Sequence, residues 1–271
     1  MKKLALFFSV FLLIFSSCSS DDSEVSQPEE VLTTNGFVLK RVDFISPPEI
    51  QGIGGLYSYN GNKLDKVGNS TFFVKYNYIG NLISEKFYYQ NTVVYYSEKF
   101  NYDANQRLIE HKTLNSQDNA GARFVYTYNT NGTTCTVQLF SGDLISQNNL
   151  DPDFNRKLFF GNDGRVTKTE RNMIINGNLE TLTTAYTYDN KKNPYYSVLG
   201  YNKLTLYDVG YYSCPNNLIS YTYSATNTAS IDVDVIEYNY NSFNFPITST
   251  LIDPFDDSGS DIVNKYFYQQ P

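Results

Sequence analysis

Residues 158–190 read LFFGNDGRVTKTERNMIINGNLETLTTAYTYDN, and their pattern decides the fold. The triplet Leu158-Phe159-Phe160 is followed by the turn residues Gly161-Asn162-Asp163-Gly164. Val166 then opens a run rich in Thr, Ile and Leu on both sides of Asn176-Gly177, and the run ends in Tyr186-Thr187-Tyr188. Side chains alternate between the two faces of a strand, so Tyr186 and Tyr188 share one face and Thr187 takes the other. Asn and Gly supply the positive φ angles that a tight hairpin turn requires. The stretch therefore reads as three strands joined by two turns.

The same pattern recurs along the chain: YSYNGNKL (57–64), YNYIGNLI (76–83), FNYDANQRL (100–108), YTYNTNGTT (126–134), YTYDNKKNP (186–194) and YNYNSFNFP (238–246). YTYS (221–224) and YFYQ (266–269) read as eroded copies. The strongest turn signals are Asn60-Gly61, Asn131-Gly132 and Asp163-Gly164; Leu64, Leu82, Leu108 and Val166 begin the returning strands. Residues 83–102 form a second kind of hairpin around Gln90-Asn91. The copies are spaced by 17 to 35 residues. A fixed-length solenoid does not vary so much, whereas hairpins in one sheet can. No segment carries a sustained helical period with caps. The prediction is an all-β chain of about fifteen strands: a large antiparallel meander of repeated hairpins, curled into a twisted sheet or open barrel-like structure, with one Tyr-rich irregular insertion.

Composition agrees. Aromatic residues make up 16% of the 271 residues, with 25 Tyr, 19 Phe, 30 Asn and no Trp. Charged residues make up 18%, and the net charge is -7. An acidic chain without a basic run is a poor match for nucleic-acid phosphates. No Gly-rich phosphate loop opens a helix.

The first residues form an address. Lys2-Lys3, the apolar run Leu4–Phe15 and Ser16-Ser17 make a signal peptide over 1–17, its apolar run being too short to span a bilayer as a helix. Cys18 follows directly. FSSC resembles a bacterial lipoprotein signal, with Phe15 where Leu is commoner; the resemblance implies palmitate-type acylation of Cys18 and a membrane partner through the lipid anchor. Residues 18–32 then form an acidic tether ahead of a single β domain over 33–271. Asp21, Asp22 and Glu24 either match the export signal of Bacteroidota-type surface lipoproteins or simply solvate the tether.

The body, through copies such as NYDANQRL and FGNDGRV, resembles the YD repeats of RHS-type proteins, and with its leader it resembles Bacteroidota-type outer-membrane or surface lipoproteins built from such repeats. The resemblance implies a porin-like curled β-sheet and a lipid-anchored, surface-exposed place at the outer membrane. RHS-type repeats are tied to carbohydrate binding or toxin encapsulation, and this chain lacks the length and toxin domain for the second.

Chemistry-bearing residues are few. His111 is the one available imidazole base, flanked by Glu110 and Lys112, and otherwise a half-exposed strand residue. Cys135 reads as a small buried hydrophobe and Cys214 as a loop residue before Pro215; an exported chain can pair two such thiols. The acidic runs 151–155, 232–234 and 253–261 read as turns, the last with the oxygen ligands Ca²⁺ favours. None completes a calcium-loop motif, so no metal or cofactor is assigned. Residues 194–217 interrupt the repeat with Tyr195, Tyr196, Tyr201, Tyr207, Tyr211 and Tyr212. They form either a binding platform for a sugar or peptide or a plug over the sheet, and the dominance of aromatics in cores favours the plug.

The sequence thus predicts a non-catalytic, lipid-anchored cell-envelope surface protein with a structural or ligand-binding role and a surface glycan or protein as partner. The alternative is a glycan-binding or glycan-acting subunit. A porin embedded in lipid needs an apolar outward band, against which stand Glu85, Lys86, Glu98, Lys99, Lys168, Glu170 and Arg171.

Overall fold

The computed structural model describes residues 37–46, 50–204, 214–252 and 262–269. The strands in the first half are β1 (Val38–Ser46), β2 (Ile50–Asn60), β3 (Lys63–Gly68), β4 (Phe72–Ile79), β5 (Leu82–Gln90), β6 (Val93–Tyr102), β7 (Leu108–Asn115) and β8 (Ala120–Tyr128). The second half contributes β9 (Thr134–Gly142), β10 (Asn149–Phe160), β11 (Val166–Ile175), β12 (Asn178–Tyr188), β13 (Leu218–Ala225), β14 (Thr228–Tyr240), β15 (Pro246–Ile252) and β16 (Ile262–Gln269). Each strand pairs antiparallel with its neighbours in sequence, and β1 pairs with β16, Val42 facing Tyr266, so the meander is a closed barrel. Closure leaves no sheet edge exposed. Among the described residues the one helical element is a single 3-10 turn at Tyr201–Lys203.

Eight strand pairs build the barrel, and one contact recurs among them. An aromatic residue near the end of each even-numbered strand points inward and reaches the residue that begins the preceding strand. The hydroxyl of Tyr59 donates to the Leu39 carbonyl at 2.7 Å and that of Tyr102 to Ile83 at 2.8 Å. Tyr128 donates to Leu108 at 3.1 Å, Tyr188 to Val166 at 2.8 Å and Tyr268 to Pro246 at 2.8 Å. At Tyr78 the polarity reverses, its oxygen accepting from the Leu64 amide at 2.9 Å. Two places depart from the pattern. Phe160 has no hydroxyl and stacks on Tyr128, and Tyr240 donates to the Asp189 carboxylate instead. The backbone acceptors Leu39, Ile83, Leu108, Val166 and Pro246 are fully or almost fully buried, so each clamp ties two strands inside the core.

The repeat also carries a bulge. In six of the hairpins one residue, two positions before the next inward-facing pair, is left over on the returning strand: Asp65, Ser84, Ile109, Thr167, Ile219 and Ile247. A bulge of one residue resets the alternation. Leu64 and Val67, Ile83 and Lys86, Leu108 and His111, and Val166 and Thr169 therefore share the inner face although each pair lies an odd three positions apart. This phase shift corrects part of the sequence reading. Lys86, Glu98 and Arg171 face inward, whereas Glu85, Lys99, Lys168 and Glu170 remain on the outer wall.

Three further expectations change. YTYS at 221–224 is not a copy of the repeat, because it sits in the middle of the odd-numbered strand β13, where Tyr221 faces Tyr186. The 151–155 and 232–234 runs lie in β10 and β14 rather than in turns, and the Asp151 carboxylate accepts from the amides of Asp153 and Phe154 at a local bulge. The turn signals hold: Asn176-Gly177 has φ of 50° and 79°, and Gly61, Gly132 and Gly164 all have positive φ.

The clamp has a direct test. Tyr102→Phe keeps the ring and removes only the hydroxyl, which should cost about 1 kcal/mol, while Tyr102→Ala should cost about 3–5 kcal/mol. Chemical denaturation of both variants checks this, and a Phe variant as stable as wild type would show that the hydroxyl contributes nothing.

Candidate functional site in the barrel lumen

The turn end of the barrel is closed by the segment between β12 and β13. Val198, Tyr201 and Leu204 are buried in one cluster with Leu64, Ile83, Leu108 and Leu158, and Tyr195 packs against it. Tyr195 stacks on Tyr201 at 4.2 Å between centroids, and its hydroxyl lies 2.9 Å from that of Tyr57. The segment crosses to the far wall, where the Leu199 amide donates to the Asn62 carbonyl at 3.1 Å. Gly200 makes this approach possible. It has φ 72°, and a Cβ there would lie 2.6 Å from the Asn81 carbonyl oxygen, closer than any side chain allows.

Of the tyrosines singled out from the sequence, Tyr201 is buried, Tyr195 is half-buried and Tyr196 is 53% exposed. Tyr207, Tyr211 and Tyr212 lie outside the described residues, as do Cys18, Asp21, Asp22, Glu24 and the 253–261 run. Cys135 and Cys214 are free thiols, both buried. Burial pushes them up, to about 12 and about 11, which makes both poor nucleophiles.

His111 is not the half-exposed residue expected. The bulge at Ile109 turns it inward, where it is 4% exposed. Its partner is Glu98 on the neighbouring strand, not Glu110: Nε2 lies 2.9 Å from the Glu98 carboxylate. Phe100 stacks on one side of the imidazole at 4.8 Å and Phe124 on the other at 5.4 Å. Lys86 Nζ approaches the same carboxylate at 3.5 Å, and the Tyr88 hydroxyl donates to it. Burial alone would raise the Glu98 carboxyl, but the His111 hydrogen bond and the Lys86 charge outweigh it and hold it down at about 2. Burial lowers the Lys86 ammonium, an effect the Glu98 charge only partly offsets. Phenyl rings flank the imidazole on both faces, so the cluster has the form of a buried ionic tie between β5, β6 and β7.

The lumen is open to a ligand elsewhere. A cavity of about 270 Å³ lies against β10–β13, lined by Arg156, Thr169, Glu170, Arg171, Leu182, Thr184, Tyr186, Leu218, Tyr221 and Tyr223. The register orders these side chains in rows: Arg156 faces Arg171, Thr169 faces Thr184, Thr184 faces Tyr223, and Tyr186 faces Tyr221. Tyr221 and Tyr223 meet edge to face at 5.4 Å, and the Thr169 hydroxyl lies 3.3 Å from that of Tyr186. The sequence reading missed this site because it depends on register. Counting back from the Asn162-Asp163 turn in an unbulged hairpin would set Arg156 opposite Glu170, an ordinary ion pair. The bulge at Thr167 moves Arg171 into that place and sets Lys157 opposite Glu170 on the outer wall.

No protein-family model matches the chain, and no curated protein matches it in sequence. Among solved structures, the chain is similar to a porin-like protein from Bacteroides vulgatus ATCC 8482, at 12% identity and a TM-score of 0.45, over 87% of this chain and 100% of that one. A porin-like protein from Bacteroides uniformis ATCC 8492 gives 8% identity and a TM-score of 0.43, over 85% of this chain and 98% of that one. The Photorhabdus luminescens Tc holotoxin pore gives 11% identity and a TM-score of 0.27, over 77% of this chain and 12% of that one. Similarity at this level is one of general shape, and nothing about function follows from it.

The ionic tie predicts a specific acid sensitivity. The Glu98 contribution is complete above its ordinary value of 4.5 and is lost as the pH falls towards about 2. Glu98→Gln leaves Lys86 and His111 buried without their carboxylate, and should cost about 3–5 kcal/mol at neutral pH. Denaturant titrations of wild type and variant from neutral to acid pH check both statements: the gap between the two proteins should narrow as the pH falls, and a constant gap contradicts the assignment.

Proposed function

We propose that the protein is a non-catalytic cell-envelope barrel that stands in water on a lipid tether at Cys18 and takes a small ligand in its lumen. The observation that carries this reading is the composition of the outer wall. One row across β4–β8 reads Asn77, Glu85, Lys99, Lys112 and Arg123, each facing the next. A second row across β8–β13 reads Thr127, Thr136, Lys157, Glu170, Thr183 and Ser224. Ion pairs tie the first row: Glu85 to Lys99 at 3.5 Å, and Glu110 to Lys112 at 3.5 Å and to Arg123 at 3.6 Å. A membrane-spanning barrel needs the reverse, an apolar outward band and a polar interior, and a charge held against hydrocarbon costs several kcal/mol.

The tether reading draws on the signal-peptide pattern and on the cysteine at position 18. Asp21, Asp22 and Glu24 fit an export signal that would carry the protein to the cell surface. The chain enters the barrel at its plugged end, since Leu39 near the start of β1 belongs to the clamp layer.

Fractionation of the Cys18→Ser protein separates the two kinds of membrane attachment. Wild type should remain with membranes through alkaline carbonate extraction, and the variant should be released or appear as a soluble precursor. Retention of the processed Cys18→Ser protein in carbonate-washed membranes would mean that the strands themselves cross the bilayer.

A further inference from the structure

The two ends of the barrel differ in charge. At the closed end stand Lys63 after the β2–β3 turn, Lys191 and Lys192 after β12, and Lys203 in the 3-10 turn of the plug. Among the described residues no carboxylate lies within ion-pair distance of any of the four. Most acids at this end are engaged elsewhere. Asp103 holds Arg107 at 2.7 Å, Asp163 holds Arg165, and the Asp189 carboxylate accepts from the Asn217 amide at 3.0 Å and from the Tyr240 hydroxyl. Asp65 is the exception, an exposed bulge residue on the outer wall of β3. Asp118, Asp143, Asp151 and Asp153 lie beside the opposite turns. A strand of eight residues such as β4 separates the ends by about 20 Å once its tilt is allowed for. That is more than twice the screening length of about 8 Å in physiological salt. The closed end therefore presents its own basic field although the chain carries a net charge of -7.

Exposed apolar side chains share this end. Ile79 before the β4–β5 turn is 77% exposed, Tyr196 in the plug 53% and Phe243 in the β14–β15 turn 43%. They sit among the lysines. Lys192 Nζ lies 5.6 Å from the centre of the Tyr196 ring, and Lys191 Nζ donates to Asn244 Oδ1 at 2.8 Å, next to Phe243. The plug joins the remaining parts, since Leu199 bonds to Asn62 beside Lys63 and Gly200 lies against Asn81 of the β4–β5 turn. Cations and apolar groups thus belong to one surface, made by the plug and the turns it touches. A folded partner would have to match several separate turns in shape. A bilayer interface is fluid and accepts scattered apolar side chains, with cations drawn to anionic headgroups. Tyrosine favours the headgroup level, and a lysine stem can lie along apolar surface while its ammonium reaches a phosphate. Apolar tips such as Ile174 and Leu179 also occur at the opposite end, but there the acids would repel an anionic surface.

We infer that the closed end is a docking face for an anionic phospholipid surface, with Lys63, Lys191, Lys192 and Lys203 at the headgroup phosphates and Ile79, Tyr196 and Phe243 in the interface. The inference rests on the reading of a barrel that stands outside the bilayer. It is independent of acylation at Cys18 and of any ligand in the lumen.

The experiment is sedimentation of the full-length mature protein, carrying Cys18→Ser and so without acyl chains, with extruded vesicles. One set is phosphatidylcholine alone and the other a mixture with phosphatidylglycerol. The protein should bind the mixture, leave it as the salt concentration rises, and ignore pure phosphatidylcholine. A lysine beside an anionic surface is worth about fivefold in affinity. Lys191→Gln with Lys192→Gln should therefore weaken binding about 25-fold, and Lys63→Gln, on a separate turn, about fivefold, each with the melting temperature of the parent protein. Lys99→Gln, in the outer-wall row, should change nothing. Tyr196→Ser should weaken binding and leave its salt dependence as it was. Equal salt-sensitive binding to both vesicle sets, no binding to either, undiminished binding by the double variant, or an equal loss in Lys99→Gln overturns the docking face. Soluble polyglutamate bound as tightly as the mixed vesicles, with Tyr196→Ser silent, makes an acidic polypeptide the partner and overturns the lipid surface. Retention on pure phosphatidylcholine through high salt would show strands crossing the bilayer, and overturns the reading of a barrel in water as well.

Discussion

The tyrosine hydroxyl on a buried backbone carbonyl is the contact on which this barrel depends. A ring long enough to reach from the end of one strand to the beginning of the strand before it brings its own hydrogen-bond donor. The clamp therefore fills volume and satisfies a polar group in the same place. Phenylalanine could fill the volume but not reach the carbonyl, as at Phe160. The contact recurs at Tyr59, Tyr102, Tyr128, Tyr188 and Tyr268. With Tyr78 it accounts for six of the 25 Tyr, and it marks the inner face of the strands that carry it.

Polarity follows from that choice and from the bulges. With the aromatic face turned inward, the alternate residues meet water, and the sequence supplies Lys, Glu, Thr and Asn at those places. Bulges after six of the aromatic strand ends hold a small set of polar groups inside as well. In the first half of the barrel these are Lys86, Glu98 and His111, which satisfy one another between Phe100 and Phe124. In the second half the inner wall carries Arg156 facing Arg171 and a ring of hydroxyls beside a cavity. One half of the lumen is thus packed and tied, and the other is concave and polar. The plug closes the turn end through Gly200, which lies against the β4–β5 turn more closely than any larger residue could.

Much of this was legible in the sequence because turns and alternation are local. The Asn-Gly and Asp-Gly pairs lie at the hairpin turns, the copies of the aromatic triplet mark strand ends, and the meander followed. What was not legible is non-local by one residue. Nothing in NYDANQRLIEHK announces that Ile109 is left over between paired residues, yet that bulge turns His111 inward and makes Glu98 its partner. The same slip at Thr167 converts an apparent Arg156–Glu170 pair into Arg156–Arg171. Tyr221 matched the triplet in letters but lies in mid-strand, because the segment between β12 and β13 intervenes and resets the count. Closure was beyond a local reading for a related reason: it depends on β1 meeting β16 more than two hundred residues away in sequence.

Spectrophotometric titration of the tyrosine hydroxyls tests the inward clamp layer most directly. Burial pushes the hydroxyls of Tyr59, Tyr78, Tyr102, Tyr128, Tyr188 and Tyr268 well above the ordinary value of 10.0. A phenol raised in this way stabilises the fold fully below its unfolded value, and that contribution is lost as the pH climbs above it. The account predicts two steps: surface tyrosines ionise reversibly near pH 10, and the clamp tyrosines ionise only at higher pH, together with cooperative loss of the β-sheet signal. Ionisation of all the tyrosines in one reversible step near pH 10, with the sheet intact, would contradict it.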